Sequence, residues 1–444
     1  MARILAYNAP ATGHIYPCSG VLVELLQRGH EVHVRTRSSD VAMLADLGVN
    51  ATAIDPSIEA IEIDDWKGKN SLDTLERLQH CMAARAVYEF TDLSEAIESV
   101  HPDVLLVDAN CPGAGLVAET SKIPWAQYCP FPPVFGSKDA PPYGPGLPPA
   151  HGPIGRARNR LAARMLRRLS RRHLEPLNAT RRELGLEPLA EIGDSFSRAG
   201  RVIMFTSEPF EYPRRDWPEA VRLVGPPLWE PVTDPPAWLV SEDRAIVLVT
   251  ASTVFQADAK LIQTALDALS DDDVAVIATT GVHDPTAFTA PTNARVEQFL
   301  PHGPILKRAA CVVSHGGMGI TQKALAAGVP VCVVPFCRDQ FEVARRVQTV
   351  QAGARLHHKH LTKKRLRDAV HTAMGQREGA KRVADSFARA GGSSAAADAV
   401  EELLVARPAD EASAIRTPPT VGTGGFGAAG YAATFPALWG RVRL

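Results

Sequence analysis

The chain has 444 residues, 48 basic against 49 acidic side chains, and a formal charge of −1. That length predicts two or three domains at roughly 100–200 residues each, and 45% hydrophobic with 22% charged residues excludes a wholly disordered or fibrous chain. No overall basic field draws the chain to nucleic acid, and apolar runs such as Val329 to Phe336 fall far short of the roughly 20 residues of a membrane-spanning helix.

Arg3 to Tyr7 reads as a strand, with no secretory-signal pattern before it, so a cytoplasmic location is expected. Pro17 to Arg28 reads as a helix closed by Gly29, His30 to Arg35 as a second strand, Ser39 to Leu47 as a helix ending at Gly48, and Val49 to Ile54 as a third strand. A long amphipathic stretch, Leu72 to Val100, leads into Asp103 to Asp108; a small-residue helix and the strand Pro124 to Cys129 follow. This alternation predicts an α/β fold with a parallel, doubly wound sheet. The seven cysteines form no CxxC pair and read as reduced, buried thiols rather than a zinc site.

Pro130 to Pro153 is too rich in Pro and Gly for regular structure and reads as a lid loop. Gly152 to Leu174 then carries eight arginines and no acidic residue, with Leu161, Met165, Leu169 and Leu174 near helical spacing. Two readings fit. The segment 156–172 contacts an anionic membrane surface or acidic partner, or it is a solvated helix whose leucines cover the domain.

Pro226 to Pro236 reads as a linker, beyond which a second alternation begins. Strands are predicted at Ala245 to Thr250, Val274 to Ala278, Ala310 to Ser314 and Val329 to Val334. Helices are predicted at Ala257 to Leu269, Met318 to Ala327, Val343 to Gln351 and Thr362 to Met374, and helical patterns run on to about Val405. The expected organisation is a first domain 1–225, a linker 226–236, a second domain 237–406 and a disordered tail 407–444. Two nucleotide-fold-like halves place a ligand cleft between them.

The strongest motif is Val312-Val-Ser-His-Gly-Gly-Met-Gly319, a buried strand passing through a glycine-rich turn into a helix. Free backbone N–H groups and the positive helix end there suit an anion, and His315 can donate to a phosphate. The turn is neither a Walker loop nor a GxGxxG fingerprint. With Gly328-Val-Pro and Pro335-Phe-Cys-Arg-Asp339-Gln340, it resembles the donor-binding box of family 1 glycosyltransferases of the GT-B fold, nearest to the bacterial macrolide-glycosyltransferase type. Phe299-Leu-Pro301-His302 and Gly13-His14-Ile-Tyr-Pro17, the latter similar to that family's Gly-His-x-x-Pro turn, extend the resemblance over roughly residues 3–405.

The resemblance implies two Rossmann-like domains facing across a cleft and inverting sugar transfer without a metal or other cofactor. The donor is then a UDP- or dTDP-sugar co-substrate and the acceptor a small lipophilic molecule. His14 would be the general base and Asp108 its orienting carboxylate. Phe299 would stack on the nucleotide base, with His302 near base or ribose. His315, Gly316, Gly317 and Gly319 would bind the diphosphate, helped by Thr250, Thr253 and Thr321; Asp339 and Gln340 would bind sugar hydroxyls. A histidine of near-neutral pKa, its tautomer fixed by a carboxylate, suits removal of an alcohol proton.

Three positions depart from the family pattern: Ile320 for Ser or Thr, Lys323 for a ribose-binding Glu, and Ser252 for Gly. They leave UDP and dTDP equally open. Asp271-Asp-Asp273 reads as a surface turn, and His357, His358 and His360 as a solvated loop rather than a metal cluster. Trp66, Tyr88, Phe90, Phe131 and Phe135 fit either an acceptor pocket or ordinary core. The alternatives are a peripheral membrane enzyme forming glycolipids and a non-catalytic nucleotide-sugar-binding accessory protein; O- and C-glycosylation both stay open.

Overall fold

The computed structural model describes residues 1–405 except 70, 232, 233, 253–255 and 257, and leaves aside the side chains at 71, 72, 75, 170, 172, 173 and 176. The expected tail 407–444 and Thr253 therefore lie outside the described residues.

Seven strands form the first sheet: β1 (Arg3–Tyr7), β2 (Glu31–Thr36), β3 (Asn50–Ala53), β4 (Val104–Asp108), β5 (Trp125–Cys129), β6 (Arg201–Met204) and β7 (Val221–Leu223), in the order β3-β2-β1-β4-β5-β6-β7. Six form the second: β8 (Ala245–Thr250), β9 (Val274–Thr279), β10 (Ala294–Glu297), β11 (Ala309–Ser314), β12 (Val331–Val333) and β13 (Gly353–Arg355), in the order β10-β9-β8-β11-β12-β13. Every pairing is parallel. Covered on both faces, the inner strands are buried along their whole length and mostly apolar, as Val104–Asp108 and Val274–Thr279 are. Each sheet reverses its strand order beside its first strand, and ligands bind at such switch points, outside the carboxyl ends.

Several elements differ from expectation. The first helix starts at Thr12, so Pro17 lies inside it and His14 sits in its first turn. The short strands β6, β7, β10 and β13 have too few residues to show a period in the sequence. The Arg-rich segment is one helix of 32 residues, Gly152–Glu183. Its Leu161, Met165 and Leu169 are exposed, so they do not cover the domain; only Leu174 of that set is buried. Among the described residues, no helix is long and apolar enough to cross a membrane.

The two halves exchange segments across the expected boundaries. Phe210, which precedes the linker, packs into the second half's core and meets Phe387 edge-on at 5.7 Å. The last helix, Ser393–Val405, returns to the first sheet and buries Ala396, Ala397, Val400 and Leu403 there. Arg28 fixes it through Asp398 at 2.6 Å and Glu401 at 2.7 Å.

A buried ion cluster joins the halves more deeply. Arg346, 1% exposed, donates to both oxygens of Glu211 at 2.8 and 2.9 Å and to Glu342 at 2.8 Å. Arg214 adds a bond of 2.9 Å to Glu211. Removing one member leaves uncompensated buried charge. Arg346→Ala is therefore expected to cost about 3–5 kcal/mol in denaturant unfolding, whereas Arg215→Ala, which breaks an exposed pair with Asp139, should leave the unfolding midpoint nearly unchanged. Equal costs would contradict this ranking.

Candidate functional site

Parallel topology puts the chemistry-bearing side chains on one edge. Asp108 ends β4 and is fully buried. Its Oδ2 accepts from Ala9 N at 3.2 Å and the Tyr128 hydroxyl at 2.9 Å, and its Oδ1 accepts from Asn110 N at 2.9 Å. His14 Nδ1 lies 2.8 Å from Oδ2 and 3.0 Å from Oδ1. With the proton on Nδ1, the Nε2 lone pair is left toward the Asn110 amide at 3.3 Å and the cleft. Burial opposes a charge on His14. The Asp108 carboxylate, by charge and hydrogen bond, and the charge of Asp339 outweigh it and hold the His14 pKa above its ordinary value.

Asp339 comes from the other half, in the loop between β12 and the helix Gln340–Thr349. Burial raises its pKa, opposed by its own backbone, Arg338 and His14. Its neighbour Arg338 is held with φ at 52°, in the left-handed region, and donates through Nε and Nη2 to Asp65, both at 2.7 Å. Asp65, from the first half, is fully buried. The latch thus fixes a cation close enough to both His14 and His315 to lower the pKa of each.

Glu342 fastens a second segment of the first half. Its Oε1 accepts from Gly144 N at 2.9 Å and Gly146 N at 2.8 Å, and Arg345 donates to the Gly146 carbonyl at 2.9 Å. The Pro-rich loop is thereby seated on the helix that follows Asp339, with Tyr143 near enough to feel the charges of Asp339 and Glu342. Beside His14, Phe131 begins a line of rings: His14 to Phe131 at 6.2 Å, Phe131 to Phe196 at 6.0 Å, Phe196 to Phe135 at 6.3 Å and Phe135 to Trp217 at 6.5 Å. Of the other aromatics singled out by sequence, Phe90 is buried core, Tyr88 packs against that core, and Trp66 is exposed under Lys67.

Opposite, His315 follows β11 directly and leads into the helix Met318–Ala326. Gly316 has φ at 96°, and an added Cβ would lie 2.7 Å from Val333, so only glycine fits. A Cβ at Gly317 would stand 2.6 Å from His315 Nε2. Gly319 is exposed with open space around it. The amino end of this helix is therefore open and lined by backbone.

The remaining expected donor residues are placed unevenly. Phe299 is 67% exposed. His302 meets the Thr279 hydroxyl at 3.1 Å, and burial, aided by the Lys323 charge, lowers its pKa to about 4. Thr250 is buried at the end of β8. Thr321 is fully buried and presents no surface to the cleft. Gln340 is also turned inward. Its carbonyl accepts from Phe336 N at 2.8 Å and Cys337 N at 3.1 Å, and its amide donates to Gln256, so it braces the loop rather than offering a free amide.

Lys323 pairs with Glu230 at 3.1 Å. Asp272 is tied to Arg367 and His371. His358 is not a solvated residue: it stacks on Phe336 at 5.5 Å and lies 2.8 Å from the Pro335 carbonyl. Among the described residues, no group of three or more His, Cys, Asp or Glu is arranged to hold a metal ion.

The family described as Erythromycin biosynthesis protein CIII-like, C-terminal domain, matches residues 263–403. Over 427 residues the chain is 32% identical to 4'-demethylrebeccamycin synthase of Lentzea aerocolonigenes, covering 91% of this chain and 100% of that one. It belongs to the family 1 GT-B glycosyltransferases.

An uncharacterized UDP-glucosyltransferase, YojK of Bacillus subtilis, is 27% identical over 424 residues, 91% of this chain and 98% of its own. Among solved structures, the calicheamicin glycosyltransferase CalG4 superposes with a TM-score of 0.69 at 22% identity, over 92% of this chain and all of that one. VinC, solved with dTDP, gives 0.61 at 19%, over 91% and 99%. These likenesses agree on the fold.

This glycosyltransferase contains cleft residues that motif reading passed over: Asn110, Asp65, Arg338, Glu342 and Asp258. Arg338 stands inside the quoted box, and Glu342 and Arg346 are an i,i+4 pair of opposite charge, so a signal existed for those three. Nothing in the sequence distinguishes Asp65 from its acidic neighbour Asp64.

Proposed function

We propose that this glycosyltransferase moves a hexose or deoxyhexose from a UDP- or dTDP-sugar to a hydroxyl of a small lipophilic natural product or phenol, inverting the anomeric centre. The observation that carries the reading is the His14–Asp108 pair, held at 2.8 Å at the same cleft as Asp339 and the open helix end at His315. The names of relatives add support: a rebeccamycin-type product for the synthase, and dTDP for VinC.

In this reading the acceptor lies along Phe131, Phe196 and Phe135, with its hydroxyl at His14 Nε2. As the new bond from oxygen to the anomeric carbon forms, the bond from that carbon to the diphosphate breaks. The hydroxyl proton passes to His14, and Asp108 stabilises the imidazolium. The leaving diphosphate gains charge against His315 and the amides of Gly316 to Gly319, where a preorganised helix end lowers the barrier. Phe299 and His302 address the nucleoside, Thr250 and Thr253 the phosphates, and Asp339 the sugar hydroxyls. No resident cofactor or metal takes part. Intact His14 and Asp108 weigh against a non-catalytic accessory role.

His14→Ala is expected to lower kcat by roughly 10²–10⁴-fold while UDP or dTDP binding stays nearly unchanged. Since the base must be unprotonated, wild-type kcat/KM should rise with pH through a midpoint above the ordinary histidine value. Asp108→Asn removes the charge that favours imidazolium, so the midpoint should move down and kcat fall. Near wild-type transfer by His14→Ala would refute the base assignment.

One observation favours a second, membrane-proximal reading: Ile154, Leu161, Met165 and Leu169 are exposed on the helix 152–183, along with Arg156, Arg160, Arg164, Arg168 and Arg171. An exposed apolar stripe flanked by arginines suits an anionic bilayer surface. That reading expects the protein to sediment with phosphatidylglycerol vesicles at low salt and Leu161→Glu/Met165→Glu to stay in the supernatant. Wild-type protein left in the supernatant would remove it.

A further inference from the structure

A second histidine–carboxylate pair lies across the cleft from His14 and Asp108. His315 is 7% exposed, and its two ring nitrogens face different surroundings. Nε2 is turned to Gly317 and the amino end of the helix 318–326. Nδ1 is buried 3.9 Å from Asp258 Oδ2, short of hydrogen-bond distance, and the Thr250 backbone is the ring's other polar neighbour. A buried ring nitrogen whose carboxylate neighbour stands beyond hydrogen-bond reach is incompletely satisfied, at a cost in free energy.

Asp258 is fully buried and rigidly held. Its Oδ2 accepts from Ser252 N at 2.8 Å, and its Oδ1 lies 2.9 Å from His283 Nε2. The carboxylate therefore cannot swing away from His315. The imidazole has about 1 Å to move for the 3.9 Å separation to reach hydrogen-bond distance.

We propose that Asp258 is a positioning residue that lets His315 take up one proton when the donor's diphosphate binds, so that the ring bridges carboxylate and phosphate. The inference rests on the reading that His315 meets the diphosphate. One proton passes from solvent to the ring, and no covalent bond changes. Nδ1–H then points to Asp258 and Nε2–H to a phosphate oxygen.

The charges around the ring fit this sequence. Asp258 faces it from beyond β8, its other oxygen held by His283 from beyond β9, and Arg338 acts on it from the loop after β12. Before the donor arrives, burial keeps the His315 pKa below its ordinary value; Asp258 and the Thr250 backbone oppose this, and Arg338 adds to it. A diphosphate placed at Nε2 adds negative charge on the open side and tips the balance toward imidazolium. The proton then stands beside the diphosphate that gains charge as its bond to the anomeric carbon breaks.

The test is calorimetric titration of the full chain with dTDP and with UDP, in buffers of different ionisation enthalpy and over a range of pH. Wild-type protein is expected to take up close to one proton per nucleotide bound near neutral pH and to bind more weakly as pH rises. Asp258→Asn should bind roughly tenfold more weakly near neutral pH, with little proton uptake and a flattened pH dependence; Asp258→Glu should recover part of both. A purely structural role would weaken binding equally at every pH and leave the uptake intact, and that result overturns the inference.

His315→Ala separates the diphosphate contact from the role of Asp258. Unchanged nucleotide binding by His315→Ala would refute the diphosphate reading itself. Weakened binding there, with Asp258→Asn like wild type, would refute only the role of Asp258. If Asp258→Asn does not fold, the His315 imidazole titration in wild-type protein, followed by NMR with and without dTDP, decides: a midpoint that does not move upward overturns the proposal.

Discussion

A carboxylate removed from water must be repaid in hydrogen bonds, and Asp108 shows what that demands of the surrounding chain. Its two oxygens take the Ala9 and Asn110 amides, the Tyr128 hydroxyl and His14 Nδ1. Apart from His14, in the helix after β1, those partners come from the ends of three adjacent strands, β1, β4 and β5, so the charge is satisfied only when the centre of the first sheet is correctly assembled. The same arrangement decides the chemistry available to His14. One ring nitrogen is committed to the carboxylate, and the other is left toward the cleft. Fold and reactivity are fixed together by one buried charge.

The opposite wall depends on contacts that cross the expected domain boundary. Arg338 reaches Asp65, Glu342 holds Gly144 and Gly146, and Arg346 holds Glu211. Because these anchors flank Asp339, the loop that faces His14 is positioned by both halves. The last helix, crossing back to the first sheet, adds a further tie. The cleft belongs to neither half alone, and each half contributes one histidine beside one carboxylate.

Much of this was legible in the sequence. The alternation of apolar runs with amphipathic stretches exposed two parallel sheets, because strands covered on both faces are mostly apolar. The glycines around His315 were readable because a left-handed φ at Gly316 and the close approach at Gly317 exclude a side chain. Three-residue strands such as β7 and β13 carry no period and could not be seen. Pro17 marked a helix start where the helix had already begun at Thr12, since the preceding residues carry no cap signal and proline inside a helix forgoes an i→i−4 bond. Contacts between distant positions were beyond reach. Arg338 and Asp65 are 273 residues apart, and neither has a local pattern that names the other. Thr321 and Gln340 lie in the expected motifs, yet packing turns both inward.

The proposed reaction is a single displacement, in which an acceptor oxygen deprotonated at His14 attacks the anomeric carbon as the diphosphate leaves from the opposite face. The most direct measurement is the anomeric configuration of the product formed from an α-linked UDP- or dTDP-glucose, read from the proton coupling at the anomeric carbon by NMR. A β-glucoside is predicted. An α-glucoside would mean retention, and a single displacement driven from His14 would then be ruled out.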